Sequence, residues 1–194
     1  MTSAGPVDDD GDTGDSGDTG EADDPLVGVI IEIPQPYAIE LTAWRAEFGD
    51  PLARSVPPHI TLLPPTRLAR DGFDPLVAHL RTVAAAREPF EVLLRGTATF
   101  RPVSPVVFVQ LAHGISECEM LQAAVRSGPV SRDLDFPYHP HVTVAHDVAA
   151  SALDRAETAL RDWEGRFTVG GFSLHEHGAD GVWRLHERFA FRTG

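Results

Sequence analysis

An α+β fold built from antiparallel sheets and interspersed helices is predicted by three features of the sequence. Short β-branched runs are closed by prolines, amphipathic stretches lie between them, and two pairs of strand-like segments are joined too closely for parallel crossovers. Helices are expected to cover the outer faces of the sheets.

The elements follow in order. Leu26 to Ile33 is an apolar β-branched run stopped by Pro34 and Pro36, the pattern of a buried strand. A helix is predicted from about Ala38 to Phe48. Pro57-Pro58 then stiffens the entry into a second strand, His59 to Leu63, which is expected to end at Pro64-Pro65. Pro75 to about Arg87 reads as a helix. Phe90 to Phe100 and Val106 to Leu111 read as a strand pair joined through residues 101–105. A helix from Ile115 to Arg126, a strand around Pro140 to Val144, and a helix from Ala149 to Trp163 come next. Arg166 to His175 and Trp183 to Phe191 are expected to form a terminal pair.

With 194 residues the chain is long enough for one domain with a substantial core, predicted over 25–194. It is 42% hydrophobic and 23% charged, without an apolar run near the roughly 20 residues of a membrane-spanning helix, so a soluble protein is expected. Residues 1–24 lack the charged and apolar regions of a secretory signal and the arginines of a transit peptide, which makes a cytoplasmic location the expectation. That same tract is rich in Gly, Asp, Thr and Ser, cannot offset the entropy of ordering, and is predicted to be a disordered, solubilising tail. Cys118 is the single cysteine, which excludes an internal disulfide and a thiolate zinc site.

The net charge of −13 is unevenly spread. Nine of the 29 acids fall in residues 1–24, which carry no base; the remaining 20 face 16 bases, leaving a body near −4. Such a body lacks the broad cationic face that grips a long nucleic-acid tract. A small or terminal phosphate fits better, no membrane partner is implied, and a monomer is expected.

Two five-residue segments carry the chemistry. Pro58-His59-Ile60-Thr61-Leu62 and Pro140-His141-Val142-Thr143-Val144 are both Pro-His-aliphatic-Thr-aliphatic, with their histidines 82 residues apart. In a strand alternate side chains share a face, so each His and its Thr lie about 7 Å apart on one side while the aliphatic residues turn into the core. Two such strands facing each other would make a four-residue polar pocket. An imidazole titrates near pH 6.5, so one of a pair can accept a proton from an attacking oxygen while the other protonates a departing one. Threonine hydroxyls can donate to non-bridging phosphate oxygens. The arrangement suits in-line displacement at phosphorus and requires neither metal nor cofactor.

On these motifs the sequence resembles the two-histidine phosphoesterases, also called the 2′-5′ RNA ligase-like or cyclic phosphodiesterase family, across roughly Leu26 to Phe191. The resemblance implies a bilobal, pseudo-twofold α+β fold with the motifs facing each other across a central cleft. It implies hydrolysis of 2′,3′-cyclic phosphates, at RNA ends or on nucleotides, to 2′-phosphates; some members cut or join 2′-5′ linkages. By that likeness His59 and His141 are the catalytic pair, and Thr61 and Thr143 the phosphate ligands.

Around the motifs, Phe136 and Tyr138 could stack on a base, or equally pack a cleft wall. His139 could line the cleft or sit in a loop. Arg132, Arg101 and Arg67 are candidate phosphate or ribose contacts. Trp44, Trp163 and Trp183 are read as core, and His79, His113 and His186 as surface or structural. Two competing functions stand beside the first: a non-catalytic module that binds a nucleotide or RNA end, and a metal-dependent hydrolase using His139, His141 and His146.

Overall fold

A computed structural model describes residues 24–130 and 136–193. The acidic tract up to Asp23 lies outside the described residues. Twelve strands and helices and one short 3-10 turn run β1 (Leu26–Glu32), α1 (Tyr37–Glu47), β2 (His59–Arg67), α2 (Phe73–Ala85), β3 (Phe90–Thr99), β4 (Val106–His113), α3 (Ile115–Arg126), β5 (His141–His146), α4 (Ala150–Ala159), β6 (Glu164–Val169), β7 (Gly171–His177) and β8 (Trp183–Ala190), the turn being Arg70–Gly72.

The strands form two antiparallel four-stranded sheets, ordered β2-β1-β7-β8 and β5-β4-β3-β6. The two His-x-Thr strands, β2 and β5, are each an edge strand of their sheet and lie against each other. Each strand is placed by its alternation: Ile60 and Leu62, and likewise Val142 and Val144, are fully buried while His59, Thr61, His141 and Thr143 are half-buried. Helices α2 and α3 pack on the first sheet, and α1 and α4 on the second. Two helices reach across to the other sheet's histidine strand: α1, which follows β1, packs on β5, and α3, which follows β4, packs on β2. Buried side chains from both sheets and all four helices join into a continuous apolar core, with Leu41, Leu80, Leu121 and Leu153 among the helical contributions. None of the described helices is long and apolar enough to cross a membrane.

Three boundaries differ from the sequence reading. β2 does not stop at Pro64-Pro65 but continues to Arg67, where Thr66 pairs with Val27 and Arg67 with Leu26. The prolines fall at a register shift in an edge strand, the two settings in which a missing N–H is tolerated. The expected strand from Arg166 to His175 is two strands in different sheets. β6 pairs with β3, and after Gly170 the chain changes sheet so that β7 pairs with β1 and β8. Glycine is required where it enters β7, since a Cβ on Gly171 would lie 2.3 Å from the Phe189 carbonyl oxygen. The helix predicted to Trp163 ends at Ala159, which frees Trp163 to meet Tyr37 edge-on at 5.7 Å.

The turn between β4 and α3 depends on Gly114, at φ 89° and with the Glu91 carbonyl oxygen 2.7 Å from where a Cβ would stand. Gly114→Ala combines a left-handed backbone with a steric conflict, and is expected to lower unfolding free energy by about 1–3 kcal/mol. Urea denaturation of the two proteins checks this; an unchanged midpoint would contradict it.

Candidate active site between the histidine strands

His59 opens β2 and His141 opens β5, and both rings are oriented in the same way. His59 Nδ1–H donates to the Pro57 carbonyl oxygen at 2.8 Å, and His141 Nδ1–H donates to the His139 carbonyl oxygen at 2.7 Å. A carbonyl only accepts, so Nδ1 carries the proton in each neutral ring and Nε2 holds the lone pair. The prolines of the repeated motif, Pro58 and Pro140, lie between each histidine and the carbonyl it binds. Each strand entry thus leaves Nε2 as the ring's acceptor.

The surroundings of both rings favour the uncharged form. Burial is the largest cause lowering the pKa of His59 below its ordinary value; it outweighs the Pro57 hydrogen bond, and the charges of Arg45, His141 and His175 push the same way. His141 is lowered for the same leading reason, against the pull of the His139 carbonyl and helped by the His139 ring. Its desolvation is visible in the packing, with Phe100 and Phe108 each 5.0 Å from the His141 ring. His141 is among the charges that act on His59, in keeping with the contact between β2 and β5.

Tyr138 ties the two strands together. Its hydroxyl donates to the Thr61 carbonyl oxygen at 2.9 Å, and its ring packs against the core. Burial pushes the phenol well above its usual range, so it remains a donor. Phe136 is 67% exposed just upstream. His139 is exposed, with its ring 5.5 Å from Phe108 and 6.3 Å from His141. Arg132 lies outside the described residues.

Other sequence candidates have different occupations. Arg101 is held by Asp154 at 2.6 Å and Glu157 at 2.8 Å, and Arg67 reaches the Asp24 carbonyl oxygen at 3.4 Å. His79 contacts the Ala124 carbonyl oxygen at 2.9 Å, and His186 packs edge-on against Phe73. Cys118 is buried in α3. The proposed metal set of His139, His141 and His146 does not assemble: His146 sits at the far end of β5, 3.4 Å from Asp147. Among the described residues no three His, Cys, Asp or Glu side chains converge into a group that could hold a metal ion.

A cavity of about 300 Å³ opens beside His59 and Thr61. Its wall includes Trp183, which the sequence reading assigned to the core, and His175, which no motif singled out. Nothing local marks them, because they enter the site from β7 and β8 at the far end of the chain; only the sheet order β2-β1-β7-β8 places them there. The loop forming the near wall, which includes Leu52 and Val56, is held by a buried ion pair. Arg45 Nε meets Asp50 Oδ2 at 2.8 Å with the residues 5% and 7% exposed, Arg45 Nη1 donates to the Val56 carbonyl oxygen, and Asp50 Oδ1 accepts from Leu52 N–H. This anchors the chain one residue before Pro57, the acceptor for His59.

A family model described as the 2′-5′ RNA ligase superfamily matches residues 33–181. The chain belongs to that superfamily. Curated relatives include proteins of Bacillus cytotoxicus and Bacillus thuringiensis whose names assign them phosphoesterase activity only by inference. They are 27% and 26% identical over 149 residues, covering 75% of this chain and 85% of each relative. Among solved structures, Escherichia coli LigT complexed with 3′-AMP superposes with a TM-score of 0.67 at 20% identity, over 88% of this chain and 99% of LigT. A Thermus thermophilus protein gives 0.60 at 23% identity, over 86% and 98%. These likenesses establish that the α+β arrangement of two antiparallel sheets is the one found in solved LigT-like proteins.

The pKa directions make a solution test possible. Nitrogen-15 NMR of the imidazoles should show both His59 and His141 as the Nδ1–H form at neutral pH, with titration midpoints below 6.5, so that the charged form is gained only as pH falls through that lowered value. A midpoint at or above 6.5 for either ring, or an Nε2–H form, would contradict the description.

Proposed function

We propose that this chain is a phosphodiesterase that opens 2′,3′-cyclic phosphates, on nucleotides or RNA ends, to 2′-phosphates, with His59 and His141 as its proton-transferring pair. The observation that carries this reading is the matched orientation of the two rings, each committed through Nδ1–H and each with Nε2 left for substrate. Superfamily membership and the names of the curated relatives support phosphoester chemistry. Structures of LigT with 3′-AMP, ATP and phosphate support a nucleotide-sized substrate.

In this mechanism water attacks phosphorus while one Nε2 takes its proton. The P–O3′ bond breaks in line with the attack, and His141, which has taken up a proton at Nε2 on binding the anionic phosphate, passes that proton to O3′, leaving a 2′-phosphate and a 3′-hydroxyl. His59 is assigned the base, because Arg45, His141 and His175 all disfavour a proton there, whereas His141 has only His139 as a charged neighbour acting on it. Thr61 and Thr143 donate to the non-bridging oxygens, whose charge grows in the transition state. Phe136 and His139, beside the second motif, are assigned contacts to the substrate beyond its phosphate. With a ribose 5′-hydroxyl in place of water, the same transfers run in the joining sense and form a 2′-5′ linkage. None of these roles calls on a metal ion.

His59→Ala and His141→Ala should each lower kcat/KM on a 2′,3′-cyclic nucleotide by about 10²–10⁴-fold with the fold retained, and a chelator should leave the wild-type rate unchanged. Phosphorus NMR of the product assigns the 2′-phosphate. Turnover surviving either substitution, or loss of activity with chelator, would exclude this mechanism; nucleotide binding without any product would favour the non-catalytic module.

A further inference from the structure

The cavity beside His59 contains a third imidazole that the proton transfers above do not use. His175 stands on β7 directly opposite Gly28 of β1. Its hydrogen-bonding state follows from its neighbours. The Ser173 hydroxyl has one proton, and the Glu32 carboxylate, which can only accept, lies 3.2 Å away to receive it. Ser173 Oγ is then left to accept from His175 Nε2–H, 3.1 Å distant. Glu32 Oε1 is a further 3.6 Å neighbour of the same nitrogen, and Arg188 fixes that carboxylate at 3.1 and 3.2 Å. Nε2 is therefore the protonated atom, and Nδ1 is the acceptor this ring can offer to an occupant of the cavity. Burial lowers the pKa of His175 despite the pull of Glu32, in keeping with a neutral ring.

Away from His59 and Thr61 the rest of the chamber is apolar. The Trp183 ring lies 3.4 Å from where a Cβ on Gly28 would stand, so the missing side chain leaves the indole close against the strand. Ile30, Leu63 and Pro65 continue the wall towards Thr61 and His59. An aromatic surface, one acceptor and about 300 Å³ of space next to His59 and Thr61 suit a planar heterocycle attached through a ribose to a phosphate held by those two side chains.

We propose that this cavity is a base-reading subsite in which Trp183 provides the stacking surface and His175 Nδ1 accepts from an exocyclic amino group. Adenine and cytosine are preferred, and hypoxanthine and uracil, which present a carbonyl oxygen at the same position, are disfavoured. The proposal rests on the phosphodiesterase reading and specifies its substrate.

Steady-state kinetics of the full chain on the 2′,3′-cyclic monophosphates of adenosine, inosine, cytidine and uridine test it. Each amino-bearing base should exceed its carbonyl counterpart by about tenfold in kcat/KM, the worth of one hydrogen bond made in place of an opposed pair of acceptors. His175→Ala should bring both ratios close to one. Trp183→Leu should lower all four substrates by on the order of tenfold or more while keeping the ratios. Equal kcat/KM for adenosine and inosine in the wild type would overturn the proposal, whether or not the variants fold, as would ratios that survive in His175→Ala. Absence of turnover on all four would defeat the phosphodiesterase reading instead. Calorimetric binding of 3′-AMP against 3′-IMP then decides the subsite separately, with tighter 3′-AMP supporting it and equal affinity rejecting it.

Discussion

Burial of Ile60 and Leu62 on β2, and of Val142 and Val144 on β5, is the constraint on which the site depends. Each such side chain contributes roughly 1.5–3 kcal/mol by leaving water. A one-residue slip of either strand would expose its aliphatic pair and bury its His and Thr. The hydrophobic effect therefore sets which face the imidazoles occupy, although it has no interest in their chemistry. Antiparallel pairing with β1 and β4 then fixes their height along the strands, through Glu32 opposite His59 and Gln110 opposite His141.

A second layer of control acts on the rings themselves. The carbonyls of Pro57 and His139 choose the tautomer, while burial among Phe100 and Phe108 on one side, and beside the Arg45–Asp50 pair on the other, keeps the rings uncharged. Two like groups in near-identical local settings would titrate together. The difference between them comes from more distant charges, with Arg45 and His175 acting on His59 and His139 acting on His141. A pair differentiated in this way can hold one proton between its members, which is what an acid and a base acting in a single step require.

The fold class, the helices, the first strand and the orientation of the His-x-Thr residues were legible in the sequence because each rests on local periodicity. Two of the misread boundaries arose where tertiary context overrode local punctuation. Pro64-Pro65 normally ends a strand, but an edge position and a register shift admit it. Gly170 looked like a residue within one strand, yet it is where the chain leaves one sheet for the other. His175, Trp183 and the Arg45–Asp50 pair could not be read in advance, because their importance comes from sheet order and loop packing rather than from neighbours in sequence. His139, His141 and His146, close along the chain and weighed as an alternative metal set, are drawn apart by β5, which places His146 at the strand's far end from His141.

The central claim is that two imidazoles, 82 residues apart in the chain, act as one catalytic unit. A double-mutant cycle on the rate of cyclic-phosphate opening measures this most directly, comparing His59→Ala, His141→Ala and the combined variant with the parent protein. Groups that work in a single step are strongly non-additive, so the combined variant should be about as slow as either single one. A combined loss equal to the product of the two single losses would mean that the histidines act independently, and would contradict the account.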